Sequence, residues 1–313
     1  MDRPFWRVRS LLANGLVDAR HYGAVWWCPM RLMLPVLFLV LASFARAEAL
    51  KVMTYNIWNG ADEEKHGRLA SWIQKQDPDV LALQELVGFS KEKLATFGKS
   101  WDHPHTLILK EEGYAVGLTA KKPITLVGRY REGLWHGALH ATVDKIHYLV
   151  VHQCPGDYKI RLRESKILTE VIGKLIADKQ HVIVLGDFNA HTPADRAFLD
   201  KQSDLIKRRK ASTFLKDGKW DYQTMTHYLD LKLVDLNLKH APKKNIHLGT
   251  FPSRALSHAR SESARQKFAE RIDFILASPD LAKRSTSSKT HHDEILNKIS
   301  DHYPISASFQ LGR

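Results

Sequence analysis

The run His181–His191, HVIVLGDFNAH, limits the fold more than any other stretch of the chain. Val182, Ile183, Val184 and Leu185 make a short buried-strand pattern. Gly186 breaks the run, and Asp187, Phe188 and Asn189 follow at once. A carboxylate and an amide are thus expected at the end of a rigid strand, which is how a site is held to tight geometry. An Asp/Asn turn leaving a core strand has the same signature, so the stretch alone leaves both readings open. The pattern recurs, however. Apolar strands also end in Asn56, Glu85, His152, Asp273 and Asp301-His302, so acidic, amide and imidazole groups repeatedly stand at strand ends.

Taken in order, Leu50 to Ile57 reads as a strand, with Val52 and Thr54 beside Asn56 on one face and Met53, Tyr55 and Ile57 on the other. Leu69, Ala70 and Ile73 recur at helical spacing until Asp77-Pro78 stops them. Asp79 to Leu83 is a second apolar strand, delivering Gln84 and Glu85. Residues 105–124 carry weaker strands around Gly113 and Gly117, and residues 137–151 alternate, then run apolar into His152. Leu168, Val171, Ile172 and Leu175 form the stripe of an amphipathic helix, with Arg161, Arg163 and Lys166 toward its start. Residues 195–250 read as helical and basic. Their densest run, Lys207-Arg208-Arg209-Lys210, fits either a solvated face or a phosphate contact. Residues 253–270 read as a surface loop or short helix, Arg271 to Ala277 as a strand carrying Asp273, and residues 283–293 as a polar loop. Ser300-Asp301-His302-Tyr303-Pro304 precedes a closing strand, Ile305 to Leu311. His191 is expected at the surface, and His291-His292 is too isolated for a metal site. The spacing by itself leans toward parallel βαβ units.

The 14 uncharged residues Leu32 to Ala45, flanked by Arg31 and Arg46, are too short for a bilayer span, which takes about 20. They suit a signal-peptide core, and Ala45-Arg46-Ala47 has the small-x-small form of a cleavage site. Residues 1–47 are therefore expected to be removed as a signal peptide, with translation starting at Met30 or Met33, and residues 48–313 to form the exported domain without a stable membrane anchor. The leader takes six basic and two acidic residues with it, so the net charge of +13 falls by four to +9. A basic domain favours a polyanionic partner. Cys28 leaves with the leader and Cys154 remains alone, so no disulfide framework exists and burial must hold the fold. The sequence has no Walker-type glycine loop and no zinc-like Cys/His cluster, and no protein partner is expected.

The segments Thr54-Tyr55-Asn56, Leu83-Gln84-Glu85, Val151-His152, Gly186-Asp187-Phe188-Asn189, Thr250-Phe251-Pro252-Ser253, Arg271-Ile272-Asp273 and Ser300-Asp301-His302 occur in one order across the mature chain. In that order and rough spacing the chain resembles the endonuclease/exonuclease/phosphatase superfamily, the enzymes with the deoxyribonuclease I-like fold. The resemblance implies a four-layered α/β sandwich, two mostly antiparallel sheets packed face to face with helices outside, which replaces the parallel reading. It implies a metal-dependent phosphoric ester hydrolase using Mg²⁺, or else Mn²⁺ or Ca²⁺. Carried over residue by residue, Glu85 is the chief metal ligand, with Asn56 and Asp301 completing or flanking that site. Asp187 orients or deprotonates the attacking water, Asn189 holds a phosphate oxygen, His302 pairs with Asp273, and His152 binds the phosphate or protonates the leaving oxygen.

The residue types suit that chemistry. Attack on a phosphodiester builds negative charge, which a hard cation held by carboxylates neutralises and amide or imidazole donors share. Two departures bear on substrate. Leu86-Val87 stands where deoxyribonuclease I-like proteins often carry an arginine that enters the DNA minor groove, and the acidic partner of His152 has no counterpart beyond the candidates Glu111 and Glu112. A secreted nuclease, with Lys207, Arg208, Arg209 and Lys210 as substrate contacts, is therefore one expectation. A phosphatase or sphingomyelinase-like phosphodiesterase is another, and a catalytically inactive binding module is a third of a different class.

Overall fold

The computed structural model describes residues 48–209, 213–241 and 248–312. The leader expected over residues 1–47 and Lys210 of the basic run lie outside these described residues. Strands β1 (Glu48–Asn56), β2 (Val80–Gln84), β3 (His105–Ile108), β4 (Gly117–Ala120), β5 (Thr125–Tyr130), β6 (Ala138–Val143), β7 (Ile146–His152), β8 (His181–Asp187), β9 (Val234–Asp235), β10 (Asp273–Ala277), β11 (Ser285–Thr290) and β12 (Ile305–Leu311) form two six-stranded sheets. Their orders are β11-β12-β1-β2-β4-β3 and β5-β6-β7-β8-β10-β9. β1 pairs with β2 and β7 with β8 in parallel, while the other pairs are antiparallel.

Helices α1 (Glu63–Gln76) and α3 (Tyr158–Ala177) are the crossovers of those two parallel pairs, and α2 (Lys91–Lys99) follows β2. Two βαβ units therefore exist, as the spacing suggests, each embedded in an otherwise antiparallel sheet. Alternation along the strands builds the layers. Val52, Val80, Leu118, Tyr148, Val150, Ile183, Leu185 and Ile275 fill the space between the sheets. Met53, Tyr55 and Leu83 meet Leu69, Trp72 and Ile73 of α1 on one outer face. Val151, Val184 and Leu276 meet Leu168 and Ile172 of α3 on the other. The result is a four-layered α/β sandwich. Each fully buried Leu, Ile or Val contributes roughly 1.5–3 kcal/mol, so three apolar clusters serve where a disulfide does not, and Cys154 is a free, buried thiol.

Three expectations change. Residues 285–290 are not loop but the edge strand β11, because its backbone completes a ladder with β12 and a short polar sequence suits an exposed edge. Gly186 does not end its strand, which continues through Asp187. His191 is 1% exposed and meets Glu270 at 3.1 Å, because Phe214 and Trp220 of a small apolar cluster pack against its ring.

Candidate active site

The register of one sheet sets the site. His152 at the end of β7 stands opposite Asp187 on β8, and Asp187 stands opposite Asp273 on β10, so three polar groups form a row across neighbouring strands. In the other sheet Asn56 on β1 pairs with Gln84 on β2, and Glu85 follows directly. The side chains after these strands are aimed by uncommon backbone. Glu85 and Asn189 have φ of 60° and 48°, left-handed conformations that are uncommon for non-glycine residues. Gly186, at φ 141°, lets β7 and β8 close, since an added Cβ would stand 2.0 Å from the Val151 carbonyl oxygen.

The groups converge. Asn56 Nδ2 donates to Glu85 Oε1 and to Asp187 Oδ2, both at 3.1 Å, while its Oδ1 accepts from the Trp58 N–H. Glu85 Oε2 accepts from the Asn59 N–H at 2.8 Å. His302 Nδ1 meets Asp273 Oδ2 at 2.9 Å and presents Nε2 3.7 Å from Asp187 Oδ2. His152 Nε2 lies 3.7 Å from that same oxygen and 4.0 Å from Glu85 Oε1. Asn189 donates its backbone N–H to Asp187 Oδ1 and its side-chain amide to the Gln153 carbonyl. Asp273 is set in turn by Thr250, whose Oγ1 accepts from the N–H groups of Ile272 and Asp273. The closing loop is tied to β1, because Ser300 Oγ donates to the Asn56 carbonyl and accepts from the His302 N–H. These groups surround an open cleft of about 670 Å³ lined by Glu85, His152, Asp187, Asn189, Asp301 and His302.

The electrostatics separate the two imidazoles. Burial lowers the pKa of His302, but the Asp273 and Asp187 charges more than reverse this and hold it well above the ordinary value. His152 is held well below it by burial, then by His136 and His302. One ring is therefore cationic and the other neutral at pH 7. Burial, and then the Asp273 charge, pushes the Asp187 carboxyl up. Asp301 is raised to about 6, by burial first and with Glu85 contributing.

The profile of the endonuclease/exonuclease/phosphatase family matches residues 53–302, most of the chain and every group just described. The chain belongs to the endonuclease/exonuclease/phosphatase family. It is a phosphoester hydrolase of that family, and the family's enzymes use divalent metals. Solved structures show the same fold. An AP endonuclease from Archaeoglobus fulgidus aligns with a TM-score of 0.67 at 20% identity, over 84% of this chain and 100% of that one. The 3′-5′ exonuclease NExo from Neisseria meningitidis gives 0.64 at 21% identity, over 83% and 100%. The 3′ phosphatase NExo from Neisseria, bound to a product DNA hairpin, gives 0.62 at 21%, over 83% and 99%. Comparison with proteins of curated function finds no sequence match.

The donor set of this family member fits a divalent cation. Carboxylates of Glu85, Asp187, Asp273 and Asp301 crowd one end of the sandwich, and the Asp301 Oδ1 is buried without a hydrogen-bond partner. Buried acceptors without donors are costly, and hard oxygen ligands suit Mg²⁺. Asp187, Asp273 and His302 also offer atoms within 4.8 Å of one another. Asp273 and His302 bond each other, however, so Glu85 and Asp301 are the freer pair, and Asn56 as oriented bridges two carboxylates.

Asn56 and Asp273 stand behind the cleft wall and hold its lining groups. Arg209 reaches the cleft from the helix Ser203–Arg209. Lys207 and Arg208 are exposed and do not line it, since only one side of that helix faces inward, and Lys210 is outside the described residues. Neither acidic candidate reaches His152. Glu112 pairs with Arg131, and Glu111 accepts from the Lys91 N–H. What meets His152 is His136, its ring stacked at 4.1 Å and 15°. Sequence reading also missed Glu164, whose buried carboxylate accepts from the Trp135 and Cys154 N–H groups and ties two site loops to α3. The signal was present. The buried stripe of α3 extends back from Leu168 through Glu164 to Arg161, placing charges on an apolar face.

Proposed function

We propose that this protein is an exported, divalent-metal-dependent nuclease that hydrolyses phosphodiester bonds. The observation that carries the reading is the cleft itself, where Lys110 and Arg209 stand on the walls around the Asp187–His302–His152 cluster. Two cations beside a hydrolytic centre, Lys110 and the Arg209 that pairs with Glu270, suit a polyanionic chain, and phosphate contacts dominate nucleic-acid affinity. The mature charge of +9 agrees with this. Among the folds it resembles are an AP endonuclease and a 3′ phosphatase bound to a product DNA hairpin. Export rests on the leader at residues 1–47.

Asp187 accepts the proton of the attacking water; burial and Asp273 raise its basicity, while the His302 charge beside it favours the ionised form that this role needs. His302, kept protonated and in one orientation by Asp273, places positive charge beside the phosphoryl oxygens. Asn189 and neutral His152 donate to those oxygens. Glu85 and Asp301 would hold a divalent ion, with Mg²⁺ the first choice and Mn²⁺ or Ca²⁺ the alternatives, which would supply Lewis-acid neutralisation of the developing charge.

The test is a substrate panel of supercoiled plasmid, sphingomyelin vesicles, phosphoinositides and a generic phosphodiester, with Mg²⁺ or with chelator. Plasmid nicking abolished in Asp187→Ala supports the nuclease. Lipid turnover without nicking sinks it in favour of the phospholipid phosphodiesterase, and binding of nucleic acid without turnover of any substrate leaves the binding module.

A further inference from the structure

Two loops beside the cleft hold aromatic rings in water. Tyr114, between β3 and β4, is 43% exposed, and Trp135, between β5 and β6, is 56% exposed, while both line the cleft. Singly exposed apolar side chains are ordinary, but two half-exposed aromatic rings on neighbouring loops that line one cleft make a contact surface. Both loops are tied down. Glu164 Oε1 accepts from the Trp135 N–H at 2.6 Å, Arg163 Nε donates to the Gly133 carbonyl at 3.2 Å, and the Arg131–Glu112 ion pair joins one loop to the other.

Between these rings lies His136, 7% exposed, its centroid 5.3 Å from Tyr114 and 6.4 Å from Trp135. It also lines the cleft and stacks on His152, which makes the wall continuous with the catalytic imidazole. Its Nε2 is buried without a hydrogen-bond partner. Lys110 stands on the same wall.

We propose that Tyr114, His136 and Trp135 form a base-binding subsite that stacks one unpaired nucleobase beside the scissile phosphate, so that the enzyme prefers single-stranded or frayed nucleic acid to closed duplex. This rests on the nuclease reading above and deepens it. The chemistry selects the occupant. A flat heterocycle offers a π-face for the exposed rings and polar edges for His136 Nε2, and its phosphate suits Lys110. An acyl chain would satisfy the rings and leave Nε2 without a partner. A base inside a closed duplex is already stacked and cannot reach the wall.

The experiment measures kcat/KM for a single-stranded oligonucleotide and for the same sequence as a blunt duplex, in wild type, Tyr114→Ala, Trp135→Ala and Trp135→Phe. The wild type is expected to favour the single strand. Each alanine variant should lower that preference about tenfold, mainly through KM, the size of one lost base–aromatic stack. Trp135→Phe, which keeps a ring, should retain most of it, and its retained turnover shows that the loop is folded. An unchanged preference in both alanine variants, or a wild type that favours duplex, overturns the subsite. So does loss of hydrolysis on sphingomyelin vesicles with oligonucleotide cleavage intact, which would make the wall a membrane contact. A wild type that turns over a generic phosphodiester but neither oligonucleotide instead refutes the nuclease reading, and the subsite with it.

Discussion

His152 and Asp187 are register partners in the parallel β7–β8 ladder, with His152 Nε2 3.7 Å from Asp187 Oδ2. Their approach depends on the strands meeting one residue earlier, where Gly186 faces the Val151 carbonyl.

Gly186→Ala should therefore damage fold and site together. The new Cβ would lie 2.0 Å from backbone oxygen, and the residue would have to hold φ near 141°. A stability loss of about 3 kcal/mol or more is expected, with activity lost at temperatures where the fold persists. Denaturant titration checks the first and phosphodiester turnover the second. A variant of normal stability would show that the strands separate more easily than the ladder suggests.

Asp273 touches no cleft surface, yet it governs His302 through the 2.9 Å contact at Nδ1. Asp273→Asn keeps the shape and removes the charge that favours the imidazolium. Activity should fall about 10²–10⁴-fold with little change in Tm. NMR titration of His302 in the variant should show its pKa displaced downward.

The buried Glu270 provides a test by pH. Burial alone would raise its carboxyl, but the Arg209 charge and the His191 contact outweigh this and hold it at about 2, against an ordinary 4.5. A depressed carboxylate stabilises the fold above its unfolded pKa, and the contribution is lost as pH falls through the folded one. The stability gap between wild type and Glu270→Gln should thus be full above pH 4.5, on the order of 3 kcal/mol, and shrink toward pH 2. A gap that stays constant across this window would remove the ion pair from the account.

The metal assignment can be read without activity. Mg²⁺ should raise the Tm of the wild type by mass action, and Glu85→Gln with Asp301→Asn should abolish the rise. If instead Asp273→Asn abolished it while the Glu85/Asp301 double variant kept it, the ion would belong to the Asp187–Asp273–His302 group.

Much of this was legible in the sequence because strands announce their ends. Short apolar runs closing on Asn56, Glu85, His152 and Asp187 gave the strands and most of the polar row, and the order of these segments gave the family; Asp273 instead opens its strand, and antiparallel pairing brings that start beside the end of β8. The sheet arrangement was not legible from spacing. The two helical crossovers α1 and α3 do make parallel pairs, but the antiparallel partners are chosen by packing between sheets, which leaves no periodic trace. His191 reads as polar and exposed beside a turn, and only the distant cluster around Phe214 and Trp220 buries it. His136 carries no local signal either. It is a histidine in a loop, and what distinguishes it is a ring 4.1 Å away from a strand that follows β6.

The most direct test of the central claim is the turnover of a simple phosphodiester by purified wild type and Asp187→Asn, each with Mg²⁺ and with chelator. Wild type with Mg²⁺ should be active, chelation should abolish turnover until Mg²⁺ is restored, and Asp187→Asn should lose at least about 10²-fold in kcat at normal Tm. Turnover that survives the chelator, or an Asp187→Asn enzyme within a few-fold of wild type, would contradict the account.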